Sequence, residues 1–567
     1  MLAYSHQIKL VLVIYFYLPT IMSGATWYVA TNGNDNNNGK INTPFKTLKY
    51  AISKSSDGDV IELRNGTYPS DEIKIERNDL TIRSYVNEWA IIKAPVDAGE
   101  DIASCLWYSN EKTRGGTLER LEIIGGAFYG VKFESNWNWG LPDNERSGAS
   151  GIKLVQCKIH DTGRDCIKIT PGCNDISIIS CEIYNSGVGP ENLEQNGGPN
   201  AEGIDNVNGS RMIVKNSYFH EISTNGVYAK GGAVDCVIEG NLFRNIGEAG
   251  IGVGFYTDGE WFDSKTNPNY YESINTIVRN NIVINTQHGG IVIVGAKNCK
   301  IYNNTVMTAS PIYHAPLTFL SGEVGVDENT TFHPISTGLE ILNNIFIDQS
   351  PSGEDDFTIL VRENALEGSN IIDHNIFYKS NGSAISFDDG DWPSKKFDDW
   401  KTLGFDSHGL EVNPQLNAEM HLLSSSPAID KGKSINGLQT DYDGKARLNA
   451  VDIGADEFGN GNVLQVPPPT SIIGTGAVGS TSNSNDWNAV NPIVFYPNPA
   501  DDLLHVSGME IENYTIQLFD LNGKLIISKP GNSLQTEQLI SGLYLVRAIS
   551  NHQDITNFQK ILIHHPY

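Results

Sequence analysis

One polar residue, placed two positions ahead of a large apolar one, returns again and again through the middle of this chain. The column reads Cys157, Cys181, Ser217, Asn241, Asn281, Asn304, Asn344 and Asn375, taken from the phrases CKI, CEI, SYF, NLF, NIV, NTV, NIF and NIF. Three of the seven gaps are 24, 24 and 23 residues, and the four longer ones read as the same unit carrying insertions. A period in the low twenties marks a solenoid. Inside the units, IVIV, KIYNNTV and TIVRNNIVI alternate and are rich in Val and Ile, with Gly and Asn at the corners. Such units are short strands and turns. A strand-only repeat of this length fits one coil of a right-handed parallel β-helix, an all-β fold. One coil cannot bury its apolar side alone, but coils stacked about 4.8 Å apart close a continuous core and pair each backbone with the next. The recurring Asn has two possible uses: amides stacked and hydrogen-bonded along the axis, or tolerance of left-handed turn geometry.

A chain of 567 residues is too long for one ordinary core, whereas a solenoid grows along its axis. Its first residues are a separate matter. MLAYSHQIK is weakly basic, LVLVIYFYLPTIM is a short apolar run, and SGA ends at Ala25. That pattern is an export signal over residues 1–25, not a membrane span. No other stretch approaches the roughly 20 apolar residues of a spanning helix. The mature protein is expected to be soluble, outside the cytoplasm and monomeric. Seven cysteines in 567 residues are few and odd in number. Cys157 and Cys181 share the repeating column, where they stack as small buried residues or, in the minority case, form a bridge. No Cys/His spacing suggests zinc.

Four parts follow one another. The stretch TWYVATNGNDNNNGKINTPFKTLKYAIS contains a strand, an Asn/Gly loop and an apolar pattern at helical spacing with Pro44 near its start. A short amphipathic helix there would cover the open end of the solenoid, where strand edges are otherwise unpaired. This opening resembles the N-terminal cap of many secreted β-helix proteins, among them the family of bacterial polysaccharide lyases that contains calcium-dependent pectate lyases. The β-helix is expected over residues 26–458, ending in the Gly/Asp-rich TDYDGKARLNAVDIGADEFG, which resembles the closing segment of similar proteins. Residues 459–492 have the Gly, Ser, Asn and Pro of a linker. Residues 493–567 alternate like the strands of a small β-sandwich. Tyr496 to Pro499, the turn from Asp520 to Lys524, and the Gly-Leu-Tyr-Leu starting at Gly542 together resemble the C-terminal sorting domain of the type IX secretion system. That resemblance implies passage across the outer membrane on that machinery, with the β-helix released or held at the surface.

The fold leaves function open, so the irregularities matter. Insertions lie at Gly187 to Asn200, Tyr256 to Glu272 and Thr308 to Gly338, and loops that interrupt a regular stack commonly carry the site. Tyr256 and Trp261 in one loop, with Trp137 and Trp139 earlier, offer faces on which sugar rings stack, or else pack on the solenoid flank. Between these loops GRDCIKIT, NAEGIDNV, STNGVYAK and GEAGIGVG align. With Ile167, Ile204, Val227 and Ile251 inward, alternation turns Lys168, Asp205 and Tyr228 outward, followed by Thr170, Val207 and Lys230. Asp165, Glu202 and Asn225 fall at the preceding corner. Carboxylates about 5 Å apart on adjacent coils can share a cation.

The lyase family carries an Asp on one coil, an acidic group on the next and a basic Lys further on, and the resemblance maps these to Asp165, to Glu202 with Asp205, and to Lys230. The chain departs from the pattern: Ala201 and Glu202 stand at two carboxylate positions, and Lys230 lies two positions late. The resemblance implies calcium held by Asp165, Glu202 and Asp205, with Lys230 as base and Lys168 or Arg164 gripping a sugar carboxylate. A glycoside hydrolase using Asp165 with Glu202 or Asp205, and a non-catalytic glycan binder or adhesin, remain alternatives. A net charge of −27 favours calcium bridging or a neutral glycan over a bare polyanion site, and without a basic stripe disfavours nucleic acid.

Overall fold

The computed structural model describes residues 24–137, 145–190, 199–308, 315–350, 357–382, 385–388, 395–447 and 450–459. In the C-terminal module it describes 494–496, 503–507, 514–520, 524–531, 533–539, 542–550 and 559–563. The expected export signal up to residue 23, the linker and Trp139 lie outside the described residues. The chain divides into two units, Met1–Val478 and Gly479–Tyr567.

Three sheets of twelve strands each build the first unit. Each full coil gives one strand to each sheet, and neighbouring strands run parallel from coil to coil, except at the far end, where Lys395–Lys396 joins the second sheet antiparallel. The alternation read from the sequence sets the register. On the first sheet Ile82, Leu118, Leu154, Ile178 and Val214 lie directly over one another, all fully buried. Rings stack in the same way inside the coil, as Phe219 does on Phe243 with centroids 4.6 Å apart.

The recurring polar column sits in a tight turn between the first and third sheets, and both uses foreseen for Asn occur there at adjacent positions. The left-handed residues are Asn216, Gly240, Asn280, Asn303 and Asn343, with φ between 49° and 67°. Each following residue belongs to a buried ladder. Asn241 Nδ2 donates to Asn281 Oδ1 at 3.0 Å, Asn281 to Asn304 at 2.9 Å, Asn304 to Asn344 at 2.9 Å and Asn344 to Asn375 at 3.0 Å. Because every amide donates in the same direction, the last member has to be an acceptor. Asp406 fills that place, taking Asn375 Nδ2 at 2.9 Å on Oδ1 and Trp400 Nε1 at 3.0 Å on Oδ2. Cys157 and Cys181 continue the column at its other end as free buried thiols, and all seven cysteines are free and buried.

A helix at Leu48–Lys54 covers the N-terminal end, with Thr47 as N-cap and Leu48, Ala51 and Ile52 turned onto the core. A second helix, Phe397–Thr402, places Phe397 and Trp400 over the far end. After the last coil strand, Leu410–Glu411, the Gly/Asp-rich segment adds no further coil. It folds back along the solenoid instead. Met420 packs with Ile282 and Ile284, Leu422 and Ile453 pack with Ile345 and Ile376, and the turn residues Asn280 and Asn303 donate to the carbonyls of Thr440 and Asp452.

The second unit holds an antiparallel sheet of three strands and another of four. Leu504 and Leu534 from the first share one small core with Ile516, Leu518, Val546 and Ile563 from the second. Asp520 Oδ1 accepts the Lys524 backbone N–H at 2.9 Å in the turn anticipated there.

Candidate functional site

Four strands of the second sheet carry the site: Ile167–Ile169, Ile204–Val207, Val227–Lys230 and Ile251–Val253. Ile167, Ile204, Val227 and Ile251 lie in register and fully buried. Lys168, Asp205 and Tyr228 therefore line up on the outer face, with Gly252 next in the same row. At the corner before these strands the Glu202 backbone N–H donates to Asp165 Oδ1 at 3.1 Å, and Asn225 Nδ2 donates to Glu202 Oε1 at 3.4 Å. The structure thus brings Asp165, Glu202 and Asp205 together, with one carboxylate oxygen from each lying within 4.8 Å of the other two.

The electrostatics of this cluster are incomplete. All three side chains are buried, and Asp165 Oδ2, Glu202 Oε2 and Asp205 Oδ1 have no hydrogen-bond partner. A buried anionic oxygen without a partner is costly, and three together require a proton or a cation. Burial, then the charges of Glu202 and Asp205, push Asp165 well above the usual carboxylate range. Burial acts in the same sense on Asp205, but the Lys168 and Lys230 ammoniums, with hydrogen bonds from Lys168 and Tyr228, outweigh it and hold Asp205 below that range. Lys168 Nζ bonds Asp205 Oδ2 and leaves Oδ1 unused. Burial disfavours the Lys168 charge, but Asp205 and Asp165 more than offset that and raise it. Lys230 sits one coil beyond Asp205, its Nζ 4.4 Å from the Tyr228 ring centroid and 3.5 Å from the Tyr256 carbonyl oxygen it donates to.

Two expected contacts are corrected, and Trp137 finds neighbours of its own. Tyr228 is only 2 % exposed, because Phe255, just before the inserted loop, stacks on it at 5.5 Å. It is a bonded neighbour of Asp205, not an open platform. Arg164 is buried at the corner, over the Phe128 ring and donating to the Asn200 carbonyl at 3.2 Å, so its guanidinium serves the turn rather than the groove. Trp137 has the Arg146 guanidinium 5.3 Å from its ring and donates through Nε1 to the Glu260 carbonyl at 3.2 Å. Its neighbour in space is the loop of Trp261, whose own carbonyl accepts from Asn208 Nδ2 at 2.6 Å. Tyr256, 46 % exposed, remains open.

The structure also adds residues that the sequence reading passed over. Glu248, Phe255, His288 and Arg362 join Asn225 and Tyr256 around a pocket of about 230 Å³. Burial, with Glu202 nearby, pushes Glu248 up to about 7. The one available signal was Gly252, standing where the previous coils carry Lys168, Asp205 and Tyr228. Beneath the inserted loop, Glu272 is buried, accepts from the Gly231 N–H at 2.8 Å and the Thr257 hydroxyl at 2.7 Å, and is pushed up to about 8 by that burial.

Comparison with known proteins agrees with this architecture. Residues 145–331 and 202–398 match the family model described as a right handed beta helix region. Residues 494–564 match a secretion system C-terminal sorting domain, and residues 31–87 match a family described as a protein of unknown function. The uncharacterized protein YwoF of Bacillus subtilis (strain 168) is 36% identical over 86 residues, 14% of this chain and 17% of that protein. Among solved structures the chain is similar to pectate lyase Pel9A, with 16% identity, a TM-score of 0.44 and coverage of 78% of this chain and 98% of that one. It is similar to XylC in complex with xylose, with 11% identity, a TM-score of 0.46 and coverage of 78% and 99%. It is also similar to the A-module of the mannuronan C-5 epimerase AlgE6 of Azotobacter vinelandii, with 11% identity, a TM-score of 0.39 and coverage of 58% and 87%. No helix among the described residues is long and apolar enough to cross a membrane. The chain is a right-handed parallel β-helix protein that ends in a type IX sorting domain, the signal for export to the cell surface or for secretion.

Proposed function

We propose that this protein is a carbohydrate-active enzyme of the polysaccharide lyase type, cleaving a uronic-acid-containing glycan by β-elimination at the cluster of Asp165, Glu202 and Asp205. The observation that carries the reading is the set of three buried, unpartnered carboxylate oxygens beside two lysines. Three hard anionic oxygens are a donor set suited to calcium, and Asp165 Oδ2, Glu202 Oε2 and Asp205 Oδ1 are the atoms that would hold it. A calcium ion bound there would draw charge from a sugar carboxylate and make the neighbouring C–H more acidic.

The chain's own residues supply the rest. Lys168 keeps its charge between Asp205 and Asp165, and an ammonium has three donors, so one can hold Asp205 while another holds the sugar carboxylate. Lys230 Nζ takes the proton from the carbon beside that carboxylate. The electron pair left behind forms a carbon–carbon double bond as the bond to the leaving sugar oxygen breaks, and water returns a proton to that oxygen. Asp165, fully buried, positions Glu202 through its N–H and does not touch the sugar.

A second reading rests on Glu248. Its carboxyl, pushed up to about 7, is joined to Glu202 through the Asn225 amide, which donates to both at 2.9 and 3.4 Å. A protonated acid near a carboxylate is the arrangement of a glycoside hydrolase. The test is product analysis over a panel of uronans and neutral glycans, with and without a chelator. Unsaturated sugar ends, lost on chelation, are expected. New reducing ends without unsaturation, indifferent to chelator, would replace the lyase by the hydrolase.

A further inference from the structure

The tight turn between the first and third sheets departs from its own pattern on one coil. On three successive coils its left-handed residue is Asn280, Asn303 and Asn343. Each of these amides donates to a carbonyl of the closing segment, to Thr440 at 2.7 Å, to Asp452 at 2.9 Å and to Lys433 at 2.8 Å. On the next coil the residue is His374, with φ 57°. Its Nδ1 lies 3.2 Å from the Lys431 carbonyl oxygen. A carbonyl only accepts, so Nδ1 carries the proton and does the work of the missing amide. The imidazole also has what Asn lacks, a second nitrogen, and in the neutral ring that Nε2 presents a lone pair.

Two further groups meet it there. His374 Nε2 is 3.8 Å from Asp373 Oδ2, and His408 Nδ1 is 2.7 Å from the same oxygen and 3.2 Å from the Ser407 hydroxyl. The His408 backbone N–H fixes the carboxylate by donating to Asp373 Oδ1 at 2.8 Å. The two rings stack with centroids 4.7 Å apart, and one ligand atom from each of the three residues lies within 4.8 Å of the other two. A single proton between His408 and Asp373 accounts for the shorter contact. The longer one sets a lone pair against a carboxylate oxygen, and a cation between them removes that conflict.

We propose that Asp373, His374 and His408 form a binding site for a divalent transition metal, zinc foremost, separate from the groove and independent of its chemistry. Two imidazole nitrogens with one carboxylate suit zinc, whereas three carboxylates suit calcium. Four-coordinate zinc with bonds of about 2.0–2.1 Å sets its ligand atoms about 3.3 Å apart, and the contacts of 2.7 and 3.8 Å lie on either side of that spacing. The His408 side chain is 66 % exposed, so its ring can turn from the stack toward the ion. The Lys431 carbonyl on His374 Nδ1 is the outer partner that a metal-bound histidine needs to fix its tautomer. A metal here ties the last strand of the first sheet, Ile371–Asp373, to the turn before Leu410–Glu411, with the closing segment attached through Lys431.

The test is a calorimetric zinc titration of the full-length protein, stripped with a chelator and returned to excess calcium so that oxygen sites are filled. Wild type should bind one zinc ion tightly, and the ion should raise its Tm. His374→Asn restores the residue of the neighbouring coils, keeping the turn and its bond to the carbonyl while deleting Nε2. It should fold, yet bind zinc at least about a hundredfold more weakly and lose the rise in Tm. His408→Ala, at an exposed position, should do the same. Cobalt in place of zinc should give wild type a visible absorption spectrum that both variants lack. Zinc affinity unchanged in either variant, or no zinc bound by wild type, overturns the proposal.

Discussion

Lys168 and Lys230 stand two coils apart on one sheet, with Asp205 on the coil between, and their surroundings divide the work between them. Lys168 is held charged by Asp205 and Asp165, so it can bind an anion but not accept a proton. Lys230 lies over the Tyr228 ring and donates to the Tyr256 backbone carbonyl, with no carboxylate in hydrogen-bonding contact among the described residues. Lys230→Ala is therefore expected to lower turnover about a thousandfold while glycan affinity in calorimetry changes little, because the base acts in the transition state. Asp205→Ala removes a donor atom and leaves Lys168 without its ion-pair partner. Both affinity and rate should fall, with partial recovery in excess calcium. If Lys230→Ala keeps full activity while Asp165→Ala or Glu202→Ala destroys it at any calcium level, the hydrolase chemistry is the correct one.

The ladder and the inserted loop are the elements on which the site rests. Asn304 sits in mid-ladder, accepting from both the backbone and side chain of Asn281 and donating to Asn344 Oδ1 and the Val278 carbonyl. Asn304→Ala strands those buried partners and should cost about 3 kcal/mol in chemical denaturation. A loss under about 0.5 kcal/mol, the range of ordinary surface changes, would mean that the ladder is decoration. At the base of the loop, Glu272 titrates at about 8 in the folded protein against an ordinary 4.5. A carboxyl raised by folding contributes stability that is whole below its unfolded value and lost as pH rises through the folded one. Wild type should therefore lose stability relative to Glu272→Gln between about pH 4.5 and 8, read as a widening gap in Tm. A constant gap across that window would show Glu272 to be charged throughout.

At the scale of the molecule, the third sheet would present Ile282, Ile284, Ile345 and Ile376 to water if residues 413–458 did not lie over it. Exposed apolar area of that kind associates. A β-helix ending after Glu411 should bind a hydrophobic dye and aggregate, whereas one ending after Phe458 should stay monodisperse in light scattering. The sorting domain adds a separate expectation: deleting residues 493–567 should leave the protein in the periplasm, as fractionation would show. Normal surface display of that deletion would mean that another segment directs export.

Local periodicity was enough to read the solenoid, because alternation of period two and a corner every coil are repeated in each unit and stack only one way. The same logic made Asp165, Glu202 and Asp205 legible as neighbours: once Ile167, Ile204 and Val227 face inward, the register places the outward row. Asn241 to Asn375 announced the ladder, and the apolar spacing that follows Pro44 announced the first helix. Contacts made by parts that do not repeat were invisible. Phe255 lies over Tyr228 and closes it, Trp137 donates to Glu260 across 123 residues, and the helix carrying Trp400 brings a lone acceptor, Asp406, to finish the ladder. The Gly/Asp-rich segment reads as the close of the β-helix, but its path is set from outside the repeat: Asn280 and Asn303 bond its backbone and turn it back along the sheet. A repeat determines its own stacking, since each coil meets a copy of itself. How an insertion lies on that stack depends on which distant surfaces can exclude water together, and only the folded chain decides it.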